Sequence, residues 1–162
     1  MNKTWVVVAD AARARLFEVK DNPGAYLGSE AFPSRQPAPR GELEEAETLS
    51  NSTARLSDGD VESDRPGSTS DRKGEAMHAY EPPNSVRDVE AKRFAREIVQ
   101  RLEELRGAGR LERFYLMSAP DFLGKLRDEM GKGLQEALVS DEARDLSRQS
   151  PQEIRSALPE RL

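Results

Sequence analysis

Trp5-Val6-Val7-Val8 is the stretch that most narrows what this chain can become. These four apolar residues stand in a row between Thr4 and Ala9, so the segment is apolar on both faces. A strand of that kind is stable inside a sheet covered on both sides, usually at its centre. Asp10-Ala11-Ala12 follows, a turn whose aspartate can bond the next backbone amides. Residues 13–19 then read as a second strand, and so tight a turn makes the pair antiparallel. Asp21-Asn22-Pro23-Gly24 marks another turn, and residues 26–32 read as a third, less regular strand.

From residue 34 to residue 75 the character changes. These 42 residues hold no aromatic side chain and four large aliphatics, Leu43, Leu49, Leu56 and Val61, among serines, glycines, prolines and charges. So polar a stretch buries too little surface to offset roughly 1–2 kcal/mol of backbone entropy per ordered residue. It predicts a mobile loop inserted between strand 3 and the first helix, with a transient helical turn in the acidic run Glu42-Leu43-Glu44-Glu45-Ala46-Glu47.

Order resumes at Ser85, placed to cap a helix with Asp88 three residues on. Val86, Val89, Phe94, Ile98, Leu102 and Leu105 recur at helical spacing, and Gly107 and Gly109 end the run. Residues 112–119 read as a strand. Pro120 and Asp121 open a second helix that Gly131 and Gly133 close, residues 137–146 form a fifth strand, and Ser150-Pro151-Gln152-Glu153 is a capping box for a last short helix. Right-handed crossovers place the fourth strand parallel to the first and beside it. The expected fold is one α/β domain over residues 1–162, with a five-stranded mixed sheet, three principal helices and ribonuclease-H-like connectivity.

Composition bounds the chemistry. The length, 162 residues, suits one domain. A net charge of −5 argues against a surface coated throughout in nucleic acid but leaves room for a local basic patch. The chain has no cysteine and one histidine, His78, which excludes disulfides, thiolate metal sites, cysteine nucleophiles and multi-histidine metal centres. With no long apolar run, the expectation is a cytoplasmic protein with no membrane partner.

Three blocks carry a resemblance: the hairpin from Trp5 to Phe17, the helix segment Arg93-Phe94-Ala95-Arg96, and Ser118-Ala119-Pro120-Asp121-Phe122-Leu123-Gly124-Lys125-Leu126-Arg127, with Arg144-Asp145-Leu146-Ser147 behind them. Together they resemble the bacterial host-attachment protein family, described as required for attachment to host cells. That family in turn looks like a distant relative of the middle domain of archaeal and eukaryotic class-one peptide release factors. There a helix with an Arg-Phe-Ala-Arg stretch follows the loop that carries the catalytic Gly-Gly-Gln. Here Gly59, Gly67 and Gly74 stand alone, and Gln36 is the one glutamine between residues 34 and 78, so release activity does not carry over. The resemblance implies a surface that docks RNA or the ribosome.

Several constellations are candidates for that work. Lys92, Arg93 and Arg96 form a basic cluster at the loop exit, able to hold phosphates or else to pair with Asp88, Glu90 and Glu97 along the helix. Arg13 and Arg15 share one face of the second strand and can clamp a carboxylate or phosphate, or simply keep an edge soluble. Arg127 joins the basic set. Asp10 and Asp121 end parallel neighbouring strands at the sheet edge where α/β folds bind ligands. With Asp145, Glu90 or Glu97 as third ligand they could share Mg²⁺ and cut phosphodiesters, unless the first is a turn residue and the second starts a helix. His78 reads as packing at the loop exit. The leading expectation is a non-catalytic RNA- or ribosome-associated binding module without cofactor; the rival is a Mg²⁺-dependent nuclease. Apolar helix faces left uncovered by one sheet would make a homodimer.

Overall fold

The computed structural model describes residues 3–20, 41–52, 85–159 and 162. Strand β1 (Thr4–Ala9) is buried along its whole length, as its two apolar faces require. It pairs antiparallel with β2 (Arg13–Lys20), Ala9 opposite Ala14 across the Asp10 turn, and parallel with β4 (Arg113–Ser118). With β3 (Glu42–Ser50) beyond β2 and β5 (Leu138–Ala143) beyond β4, the sheet is mixed and five-stranded, in the order β3-β2-β1-β4-β5.

Four helices accompany it among the described residues: α1 (Val86–Gly107), α2 (Pro120–Glu129), α3 (Lys132–Ala137) and α4 (Pro151–Ser156). The Ser85 hydroxyl accepts the Asp88 amide at 3.1 Å and starts α1. Past its end, Gly109 takes φ +72°, a left-handed turn that lets the chain fold back. The indole N–H of Trp5 then donates to the Arg110 carbonyl at 2.9 Å, tying that turn to β1.

Alternation along β1 and β4 divides two cores. Trp5, Val7, Leu16, Phe114 and Leu116 face α1, α2 and α3, with Phe94, Ile98, Leu102, Phe122 and Leu126 packed onto them. Val6, Val8, Phe17, Val19, Tyr115 and Met117 face the other way, toward Ile154 of α4. That second layer is thin, because α4 has six residues.

Three expectations need correcting or placing. The acidic run read as part of the 34–75 loop is strand β3, a full partner of β2. Its glutamates are poor strand formers, and two of them are held by arginines the run itself does not contain. A bulge decides which. Glu45 pairs with Phe17 and Glu47 with Leu16, so Ala46 is inserted into the ladder. Leu43 and Glu45 therefore face α4, where Arg15 takes Glu45 at 3.0 Å, while Glu47 and Leu49 face α1, where the Arg101 guanidinium grips Glu47 with two nitrogens. Secondly, α3 is added to the three expected helices just before the fifth strand, because Leu134 and Ala137 bury against the first core; the strand expected at 137–146 runs from Leu138 to Ala143. The strand expected at 26–32, the remainder of the 34–75 loop, apart from residues 41–52, and His78 lie outside the described residues.

The arginine ties make β3 acid-sensitive. Hydrogen bonds from Arg15 and Arg101 hold the carboxyls of Glu45 and Glu47 below the ordinary carboxylate range. A depressed folded-state pKa contributes stability above the unfolded value and loses it as pH falls through the folded one. Each half-exposed pair contributes about 0.5–1 kcal/mol. Below about pH 4, amide protection in β3, corrected for intrinsic exchange rates, is expected to fall before protection in β1 does. Equal protection of both strands down to global unfolding would refute the account. No helix among the described residues is long and apolar enough to cross a membrane.

Candidate anion-binding cleft

Residues 13, 15, 17 and 19 share the α4 face of β2. Phe17 and Val19 are roofed by α4 and the chain after β5, but this cover stops short of the start of β2. The gap is an open cleft of about 640 Å³ lined by Arg13, Arg15, Glu45, Thr48, Ser147 and Arg148. Three guanidiniums face one carboxylate there.

Their environments differ. Arg15 is fully engaged: Nε and Nη2 donate to the two oxygens of Glu45, each at 3.0 Å, and Nη1 donates to the carbonyls of Ser147 and Gln149. Its guanidinium also lies 5.0 Å from the Phe17 ring centroid, a cation–π contact. Arg15 is thus a brace joining β2, β3 and the 147–149 turn. The Thr48 hydroxyl donates to Glu45 at 2.8 Å, so that carboxylate accepts three hydrogen bonds. Arg13 is the opposite case. Its Nε is buried and has no hydrogen-bond partner. Arg148 is exposed and carries no ion pair among the described residues. A buried donor without an acceptor costs about 1–3 kcal/mol, a cost an incoming anion would remove.

The wall behind the cleft is built on Asp10. Its Oδ1 accepts the amides of Ala12 and Arg13 at 2.7 and 2.8 Å, the turn role open to it from sequence. Its Oδ2 lies 2.7 Å from the hydroxyl of buried Ser147, which is also 2.6 Å from Asp145 Oδ1. A hydroxyl has one proton, so Ser147 donates to one carboxylate at a time, and the three groups together fix the turn that presents Arg148. Asp145 Oδ1 also accepts the Ser147 amide at 3.1 Å.

Asp121 stands elsewhere. It is exposed in the first turn of α2 and, with Asp10, lines a separate cleft of about 380 Å³ at the ends of β1 and β4, alongside Arg87, Asp88, Phe122 and Lys125. The two aspartates do reach one cleft, as strand order implied, but the oxygens of Asp10 are bound to turn amides and Ser147. Glu90 and Glu97 are turned to Arg93. These donors do not fit magnesium, which demands near-octahedral oxygen ligands, and no group of three acidic or histidine side chains among the described residues is placed to share an ion.

The basic cluster of α1 is distributed among carboxylates. Lys92 pairs with Asp88 at 3.1 Å, and Arg96 with Glu129 of α2 at 3.2 Å. Arg93 donates to Glu90, Glu97 and the Asn51 side-chain carbonyl, while Asn51 donates to the Ala11 carbonyl, so Arg93 ties the end of β3 to the β1–β2 turn. Phe94 and Ala95 between them are core. Arg127 pairs with Asp141 of β5. The ammonium of Lys92, with that of Lys125, holds the Asp88 carboxyl below its ordinary range. Arg148 and Thr48 escaped sequence reading: the first has no patterned neighbour, and the second lay in a stretch read as loop.

A model of the family described as "Protein required for attachment to host cells" matches residues 5–158, and the chain belongs to that family. It is also similar to an uncharacterised protein of Rickettsia prowazekii (strain Madrid E), 30% identical over 69 residues, which are 41% of this chain and 46% of the relative. The match thus spans about half the length of that curated relative.

Proposed function

We propose that this member of the host-attachment family is a non-catalytic binding module for RNA, of the kind that associates with ribosomes, working in the cytoplasm. The observation that carries the reading is the buried Nε of Arg13, which has no hydrogen-bond partner, in a cleft lined also by Arg148, exposed and without an ion pair among the described residues. Phosphate oxygens are the ligand such donors recognise in RNA. Among the described residues no aromatic lines the cleft, so those residues offer backbone contact rather than base stacking.

Two further points support it. The element order is similar to that of a ribonuclease-H-like fold, and the Arg93-Phe94-Ala95-Arg96 helix resembles the release-factor middle domain, whose setting is the ribosome. Without Gly-Gly-Gln the module would dock without hydrolysing peptidyl-tRNA. A role in attachment would then be indirect, through gene expression inside the cell.

Fluorescence anisotropy with short oligoribonucleotides across a salt series tests the proposal. Neutralising about two phosphates predicts a log–log salt slope near −1.4. Arg13→Glu with Arg148→Glu should weaken binding at least about ten-fold, whereas Arg93→Glu with Arg96→Glu should leave RNA affinity largely intact. Sedimentation with ribosomes, with and without ribonuclease, shows whether RNA mediates the association. Binding indifferent to salt and to the Arg13/Arg148 pair would overturn the reading.

A further inference from the structure

We infer that the Arg13–Arg148 cleft seats a terminal phosphate monoester, the phosphorylated end of an RNA, rather than an internal phosphodiester. The inference rests on the reading of the cleft as an RNA contact and specifies which chemical group enters it.

Charge is the first ground. Glu45 and Arg15 neutralise each other through a bidentate pair, and Thr48 gives its proton to the same carboxylate. Among the described residues, the guanidiniums of Arg13 and Arg148 have no ion-pair partner. A phosphate monoester carries about −1.5 to −2 charge near neutral pH and three free acceptor oxygens. A single internal diester carries one charge and two free oxygens, and would leave one of the two cations uncompensated.

Shape is the second. Arg13 lines the cleft, and its Nε is buried without a hydrogen-bond partner. On one side stands β3 with the Glu45–Arg15 brace, and behind it the buried Ser147 held by Asp10 and Asp145. An end group can approach from the open side with no chain continuing beyond it. Asp10 and Asp145 stand beside Ser147 at the back of the cleft, their near oxygens taken up by backbone amides and, one carboxylate at a time, by the Ser147 hydroxyl.

The test compares one oligoribonucleotide, labelled at its 3′ end, with a 5′-phosphate or a 5′-hydroxyl, and inorganic phosphate as competitor. The phosphorylated form is expected to bind roughly ten-fold tighter, the worth of one strong charge-assisted contact. That preference should vanish in Arg13→Gln and in Arg148→Gln, and millimolar inorganic phosphate should abolish it. Arg148 is exposed and without an ion pair among the described residues, so its variant keeps the fold, which circular dichroism checks. If both RNAs bind equally, the inference falls and the RNA reading stands. If neither RNA binds but inorganic phosphate does, in an Arg13-dependent way, the phosphate seat stands and the RNA reading falls. If nothing binds, both fall.

Discussion

Replacing Phe94 by alanine is expected to destabilise the protein by about 3–5 kcal/mol, the usual cost of deleting a fully buried aromatic ring. Phe94 has no exposed surface and stacks on Phe122 of α2 with ring centroids 5.9 Å apart. It therefore joins the two longest helices over the sheet. Folding free energies of such domains run to about 5–15 kcal/mol, so the change would remove a large share of the total. Its neighbour gives the contrast. Arg96 is 69% exposed and its pair with Glu129 lies on the surface, so Arg96→Ala should cost under about 1 kcal/mol. Urea denaturation of the two variants measures both. A Phe94→Ala cost below that of Arg96→Ala would mean that the motif is held together by its charges and not by its ring.

The second large effect is expected at Gly41, immediately before β3. Its φ of +91° lies in the left-handed region that favours glycine, and a Cβ there would meet Val19 Cγ1 at 2.7 Å. Its carbonyl also accepts the Nε–H of buried Arg155 at 2.9 Å, so the strand entry is anchored to α4. Gly41→Ala combines backbone strain of about 1–3 kcal/mol with overpacking of similar size, for a loss of about 2–6 kcal/mol. A double-mutant cycle separates the two. Val19→Ala removes the clashing methyl but not the strain, so the pair should be less damaging than the sum of the singles. Strict additivity would show that Gly41 is needed for its φ alone.

Much of this architecture was legible in local chemistry. The apolar run of β1, the Asp10 turn, the Phe94-Ile98-Leu102-Leu105 stripe and the Ser150–Glu153 capping box each carry their structural meaning within a few residues, because burial period, turn bonding and capping are short-range effects. The parallel placement of β4 beside β1 followed from handedness. β3 was invisible for the opposite reason. Nothing in Glu42-Leu43-Glu44-Glu45-Ala46-Glu47 favours a strand on its own; its stability comes from Arg15 and Arg101, 30 and 54 residues from their partners in sequence.

The candidate site divides in the same way. That Arg13 and Arg15 point to one side of a strand is decided by the two-residue period of the sheet. Which of them is free is not. Arg15 is consumed by a glutamate from one part of the chain and two carbonyls from another, while Arg13 is left with a buried donor. Conversely, the arginines that look most available in the sequence, Arg93 and Arg96, meet carboxylates on their own helix and on α2. Local pattern alone therefore determined the scaffold, because backbone geometry and burial repeat over short distances. Only the tertiary structure decided the site: a charge is available or neutralised according to what the fold brings within about 3 Å of it.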